Sequence, residues 1–409
     1  MYRVISPLLL LFASVFILML GNGLINILLP VRLSLESVDT DSIGLILSLY
    51  AVGLLLGGMY SGHLIQRAGH IRVFAFSAAL GAISILVCSL YTDTWLWAAM
   101  RIVIGFSNAC AYSVMDGWLS DSSTPKTRGR ILATNQVVMM GAMFIGQFLM
   151  VLADPMTHLL FVLAGIILCF SVIPVSMNRN PGPVIETNES MPILKLYKRS
   201  PLGVISCFFC GILYSAIFNM LPIFAADNNI TGLQLSWFMG SSILGAFLLQ
   251  FPVGYLSDTF SRRTVMLYVI VVSAVAGLLI PIMLAADQFL VVLVLTGITA
   301  GICACLYPMS IAEAFDRLKQ SEMVGAMGSL IMVFAVGSMI GPYSSSLVIK
   351  WMGSGMLFTF LAVIQGGLAF FIVYRMQVRE SVPSDEQEDF VMQGAAMPIG
   401  VHLDPRTPD

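Results

Sequence analysis

Apolar runs of about twenty residues, separated by short polar knots, recur along nearly the whole chain. Each run is long enough to cross a hydrocarbon core of roughly 30 Å as a helix. The spacing predicts twelve helices, at about 7–30, 43–65, 72–91, 95–118, 131–153, 159–177, 201–224, 235–257, 265–285, 289–312, 324–347 and 355–375. The first run is too long for a signal-peptide core and lacks a small-x-small cleavage site, so it is expected to stay as the first span.

Two of the knots share a pattern. Gly62-His-Leu-Ile-Gln66-Arg67-Ala-Gly69-His70-Ile-Arg72 is echoed 192 positions later by Gly254-Tyr-Leu-Ser-Asp258-Thr-Phe-Ser-Arg262-Arg263. At the same offset Pro30 meets Pro222 and Gly53 meets Gly245; at an offset of 195, Tyr112 meets Tyr307, Asp121 meets Asp316 and Gly146 meets Gly341. The chain therefore reads as an all-α membrane protein, with twelve transmembrane helices in two six-helix pseudo-symmetric bundles. Parallel repeats around a central cavity are an architecture of alternating-access transporters. The expected units are an N-terminal bundle at 1–177, a cytoplasmic linker at 178–200, a C-terminal bundle at 201–376 and a disordered, proline-rich acidic tail at 377–409.

Composition agrees with a bilayer environment. The chain is 58% hydrophobic and 10% charged, against roughly 25% charged in a soluble domain. With the amino terminus inside, every lysine and arginine except Arg32, Lys350 and the intramembrane Arg101 falls on the cytoplasmic side, as expected of a multi-pass protein with both termini cytoplasmic. A net charge of −2 gives no basic surface for nucleic acid. The seven cysteines all lie in apolar runs and read as packing residues. The Cys207-Phe-Phe-Cys210 spacing has no neighbouring histidine or acid, so no metal site and no cofactor are expected. Hydrolase elbows, paired-histidine metal motifs and phosphate loops are missing from the sequence, so it does not read as an enzyme, and any pumping must draw on an ion gradient.

The knots resemble the signature loop between helices 2 and 3 of the major facilitator superfamily, Gly-x-Leu-Ala-Asp-Arg-x-Gly-Arg-Lys. The matches are Gly62, Leu64, Arg67, Gly69 and Arg72, and again Gly254, Leu256, Asp258, Arg262 and Arg263. Within the superfamily, Arg128-Gly-Arg-Ile-Leu-Ala, Gly146-Gln147, Tyr307-Pro308 and Gly337-Ser-Met-Ile-Gly341-Pro342 resemble bacterial inner-membrane transporters of the YcaD type. The resemblance implies the major facilitator fold, a small-molecule substrate and a gate in which the motif acid pairs with basic groups. Gln66 stands where the first acid would be, and Ser261 where the second glycine would be. The second-half lock, Asp258 with Arg262, Arg263 or the facing Arg128, is therefore expected to carry more of the gate. Asp121 followed by Arg128 resembles the family's acid-x6-arginine element, which with Arg67 and Arg72 would form a salt-bridge cluster. The alternative is a solvated loop whose pairs contribute little.

Arg101 is the one basic residue expected inside a span, and a charge at the bilayer centre costs at least about 2.5–3.5 kcal/mol. It resembles the arginine of the Arg-x-x-x-Gly pattern in helix 4 of proton-coupled members. At about 100° per residue, Gly105, Asn108, Tyr112 and Asp116 share one face with it, and Asp121 lies opposite. Asp116 is the candidate for proton exchange, with Arg101 sensing it; the alternatives are a hydrated interfacial acid or a hydroxyl's structural partner for Asp116, and a structural anchor bonded to neighbouring carbonyls for Arg101. Asn22, Asn26, Gln136, Asn219, Tyr307 and Glu313 complete the substrate and coupling candidates, with interhelical glue an equal reading for the amides. The Gly-x-x-x-Gly-Pro run at Gly337 resembles the family's antiporter motif, displaced from helix 5 to helix 11. A proton-coupled transporter, with export as the direction the motif suggests, is the expectation; the alternatives are an uncoupled facilitator or importer, or a non-transporting receptor on the same fold. The lipid bilayer and protons are the expected partners.

Overall fold

The computed structural model of the protein describes residues 8–124, 127–177, 191–383, 386–394, 404 and 406. Among the described residues, twelve helices are long and apolar enough to cross a membrane. In chain order they are α1 (Leu9–Leu35), α2 (Thr40–Ala68), α3 (His70–Leu90), α4 (Thr94–Asp121), α5 (Arg128–Leu152), α6 (Leu159–Ser176), α7 (Pro201–Asp227), α8 (Gly232–Thr259), α9 (Arg262–Ala285), α10 (Phe289–Phe315), α11 (Gln320–Met352) and α12 (Met356–Val378). In hydrocarbon a helix satisfies all its own backbone groups, which is why continuous apolar runs become helices here. Most helices outrun their apolar stretch by a turn, because polar terminal turns continue the helix beyond the apolar region.

The repeat is visible in the packing. In the first half α2 lies on α4, α1 on α5, α3 on α4 and α6; in the second α8 lies on α10, α7 on α11, α9 on α10 and α12. Glycine permits the closest crossings. A Cβ on Gly53 of α2 would stand 2.0 Å from the Ile102 carbonyl oxygen of α4, and one on the repeat-related Gly245 of α8 would stand 2.0 Å from the Gly297 oxygen of α10. The α1–α5 crossing at Gly23 and Gly146 has its counterpart in the α7–α11 crossing at Gly211, Gly337 and Gly341. Gly141, by contrast, has open space around it.

The helix ends define two faces of the bundle. A basic face carries the two knots together with Arg317 and Arg375, and a distal face carries Arg32 and Lys350. The first knot turns from α2 into α3 through the single residue Gly69, at φ +83°. The second turns through Phe260 and Ser261 with ordinary negative φ, at −118° and −52°, which is how it dispenses with the glycine. Residues 178–190 of the expected linker, and Arg3, Lys126 and Arg179 of the expected basic side, lie outside the described residues. The described end of the linker is a short helix, Ile193–Arg199, tied to α11 by Arg199–Glu322 at 2.7 Å and Lys195–Glu322 at 3.5 Å.

The tail expected to be disordered needs correction where it is described. Residues 386–394, Asp404 and Arg406 fold back onto the basic face, and Val391, Gln393, Asp404 and Arg406 are buried there. A polar, proline-rich composition signals solvation only when its groups find no partners, and here they do.

Candidate functional site

A polar cluster occupies the seam between the halves, toward the distal face. Asn22 of α1 and Asn108 of α4 exchange hydrogen bonds at 3.4 and 3.0 Å, and Asn108 Nδ2 also donates to the Tyr50 hydroxyl of α2 at 3.1 Å. The Arg101 guanidinium lies over the Tyr50 ring, 4.9 Å from its centre, a cation–π contact. Its Nη2 reaches across the seam to Asn219 Oδ1 of α7 at 3.4 Å, and Asn219 is steadied by donating to the Ser215 carbonyl at 2.8 Å. Arg101 is 3% exposed, yet its Nε and Nη1 have no acceptor among the described residues. The helical stripe on α4 thus brings Arg101, Asn108 and Tyr112 together, with Tyr112 beside Tyr50 and Tyr214.

Other candidates fall elsewhere. Asp116 is buried on the same stripe but four turns nearer the basic face, about 22 Å along the axis from Arg101. Asn26 is partly buried at the next turn of α1. Gln147 is helix glue, its Nε2 donating to the Gly23 carbonyl at 2.8 Å. Tyr307 packs edge-on to Phe334 inside the second half, ring centres 4.9 Å apart. Gln136 lies beside Gly394, which with Met140, Met143, Tyr214, Phe218, Ile243 and Gln250 lines a small space at the midline.

The residues expected to form the gate are unequally paired, and the acid that pairs closely with Arg262 is Asp316 instead of Asp258. Arg262 Nη1 donates to both carboxylate oxygens of Asp316, each at 2.9 Å, with the Arg262 side chain wholly buried and that of Asp316 nearly so. Asp258 is 4.0 Å from Arg262 and spends one oxygen on the Phe390 amide at 2.8 Å. Arg263 donates twice to Glu313, at 3.0 and 2.9 Å, and Arg317 stands 3.8 Å from the same oxygen. Glu313 therefore sits in an ion-pair network with Arg263 and Arg317, outside the central cluster.

In the first half Arg67, Arg72 and Asp121 are exposed, and no ion pair joins them among the described residues. The repeat explains this. His70 takes the place of Arg262 and faces Asp121, while Ile71 and Trp118 take the places of Arg263 and Glu313. His70 stacks on Trp118 with ring centres 5.7 Å apart. The sequence does not single out Tyr50 or this His70–Trp118 stack, and it marks Asp316 only as the repeat partner of Asp121; the 192 and 195 offsets align His70 with Arg262 and Trp118 with Glu313.

The halves meet tightly at the distal face. Lys350 of α11 pairs with Asp41 of α2 at 2.9 Å, the Tyr343 amide donates to Ser48 Oγ at 3.1 Å, and Ser236 Oγ of α8 donates to the Gln147 carbonyl of α5 at 2.9 Å. Trp237 is wedged against Phe144 and Phe148. With Arg101–Asn219, these contacts join the halves on the distal side of the midline space.

Comparison with known proteins agrees with this architecture. The sequence model of the Major Facilitator Superfamily matches residues 11–227 and 203–401. The Uncharacterized MFS-type transporter YcaD of Escherichia fergusonii is 26% identical over 365 residues, covering 88% of this chain and 93% of that protein. Among solved structures, the nucleoside transporter NupG superposes with a TM-score of 0.74 at 15% identity, over 91% of this chain and 100% of its own. A bacterial homolog of the human lysosomal transporter Spinster, inward-facing and occupied, gives 0.68 at 12% identity, over 93% and 97%. These likenesses establish the fold. With a family model matched across both halves, the chain is a multi-pass membrane protein that belongs to the Major Facilitator Superfamily.

Proposed function

We propose that the protein moves a small organic solute by alternating access, coupled to protons and running as an exporter from a bacterial inner membrane, with both termini cytoplasmic. The observation that carries this reading is Arg101, a buried cation at the seam whose Nε and Nη1 find no acceptor among the described residues. A guanidinium held in a membrane interior needs an acceptor to offset its desolvation. A solute presenting a carboxylate, phosphate or carbonyl oxygen would supply it, and the aromatic and methionine walls of the midline space suit an apolar body. Export is supported by Gly337, Gly341 and Pro342, which place the antiporter-like run at the α7–α11 crossing.

Asp116 is assigned to proton exchange. At about 22 Å from Arg101 it communicates through the rocking of the halves and not by contact. That same separation favours a second reading, an uncoupled facilitator in which Asp116 serves the end of α4. One experiment separates them. Solutes that raise the unfolding temperature of the purified protein are followed into proteoliposomes with and without a proton gradient. Coupling requires that the gradient drive accumulation and that Asp116→Asn abolish accumulation while sparing downhill flux. Accumulation that survives Asp116→Asn removes the proton role, and undiminished flux in Arg101→Ala removes the solute role.

A further inference from the structure

The segment after α12 is held by the gate residues themselves. Arg379 and Glu380 lead it across the basic face, their carbonyls accepting from Arg263 Nη1 at 2.7 Å and Arg317 Nη2 at 3.1 Å. The Glu388 amide then donates to Asp316 Oδ1 at 2.9 Å, and the Glu388 carbonyl accepts a short bond from Arg262 Nη2. Two residues on, the Phe390 amide donates to Asp258 Oδ1, and the Phe390 ring lies on Gly254, 2.6 Å from where a Cβ would stand. So the glycine, the acid and the arginine of the second knot each contact the tail.

The far end of the segment crosses to the other half. Gly394 sits beside Gln136 and Met140 of α5, a Cβ on it falling 3.0 Å from Gln136 Nε2, and it lines the midline space. A second strand of contacts fastens this end. Gln393 Nε2 donates to Asp404 Oδ2 at 3.0 Å, Arg406 pairs with Asp404 at 2.5 Å and donates to the Asp389 carbonyl at 3.0 Å, and its guanidinium lies 4.7 Å from the Phe315 ring centre. Asp404 is fully buried and Arg406 nearly so. A charged pair is taken out of water only where several bonds hold it; a tail lying loosely on the surface would not bury one.

We infer that the carboxyl-terminal tail is an intramolecular plug, gripped by the second-half gate and seated in the opening between the halves on the basic face. With the halves in contact on the distal side, the seated tail caps the midline from the basic face. It also wedges α5 apart from the second half, so the halves cannot close on the basic face until it withdraws. The second knot thereby acquires a role its first-half copy does not have, as the receptor for the chain's own tail.

The test needs no substrate, and its outcome is independent of the transport reading. In purified full-length protein with Cys169, the one exposed native cysteine among the described residues, replaced by serine, Met140→Cys reports access to the midline through its reaction with a charged methanethiosulfonate. Undocking the tail by Phe390→Asp, or ending the chain after Glu380, is expected to speed labelling at least tenfold. Equal rates with and without the tail would overturn the inference. Should either variant misfold, the Gly394→Cys/Gln136→Cys protein decides: a short bifunctional thiol reagent crosslinks the two positions within one chain if the tail is seated, and its failure to do so overturns the plug.

Discussion

Glu313 and Trp118 occupy equivalent positions 195 residues apart, and they solve one packing problem in opposite ways. The second half buries Arg263 against Glu313; the first packs Ile71 and Trp118. Ion pairs and apolar pairs of similar volume are often interchangeable in stability, but a charge that loses its partner costs about 3–5 kcal/mol. The same contrast governs Asp316. Burial pushes its carboxyl up to about 6, against the pull of Arg262 and the Glu388 amide, with Glu313 and Arg406 also facing it. An acid whose value is raised on folding binds its proton more tightly in the folded state. Its stabilising effect is therefore full below the ordinary carboxylate value, about 4, and is lost as pH rises through about 6. The unfolding temperature is expected to fall across that window, and Asp316→Asn to flatten the fall; a variant with an unchanged pH profile counts against this placement. Asp316 was legible as a repeat partner of Asp121, but its pairing was not, because the motif directs attention to Asp258, four residues from Arg262 along the chain, whereas Asp316 comes from the end of a different helix.

Helices crossing backbone to backbone are the mechanical units of the molecule. At Gly53 and Gly245 the partner carbonyl oxygen lies where a side chain would begin, and backbone atoms cannot yield as a flexible side chain can. Gly53→Val and Gly245→Val are each expected to destabilise by about 3 kcal/mol or more through overpacking, whereas Gly58→Ala, with open space around it, should be near neutral. Thermal unfolding of the three variants checks this, and a tolerated Gly53→Val would contradict the crossing. The helices and these crossings were legible because apolar length and paired glycines are local signals. Boundaries such as Thr40 and Ala68 of α2 were not, since the apolar run stops before the backbone leaves its helical path. The seating of the tail was also hidden: its partners, Gly254, Asp258, Arg262 and Asp316, come from other elements, and nothing local to residues 386–394 marks them.

At the scale of the whole molecule, the structure is closed at the distal face by one charged pair and a close helix contact. A Cβ on Gly44 would fall 2.0 Å from Ser346 Oγ, one turn from the Asp41–Lys350 bridge. Partly exposed pairs of this kind contribute up to about 1 kcal/mol, enough to shift a two-state population about 5-fold. Asp41→Lys is expected to raise labelling of Ser48→Cys from the distal side by at least that factor, and the exchanged pair Asp41→Lys/Lys350→Asp to bring it back. Restoration failing while the single change opens the face would assign the effect to something other than this bridge. The arrangement that closes the other side is of a different kind, since it is tethered. A segment joined to its receptor by a short connection is present at an effective concentration in the millimolar range. Any solute entering from the basic face thus competes with an occupant that cannot be diluted, and its apparent Kd will be its intrinsic one divided by the fraction of time the tail is withdrawn.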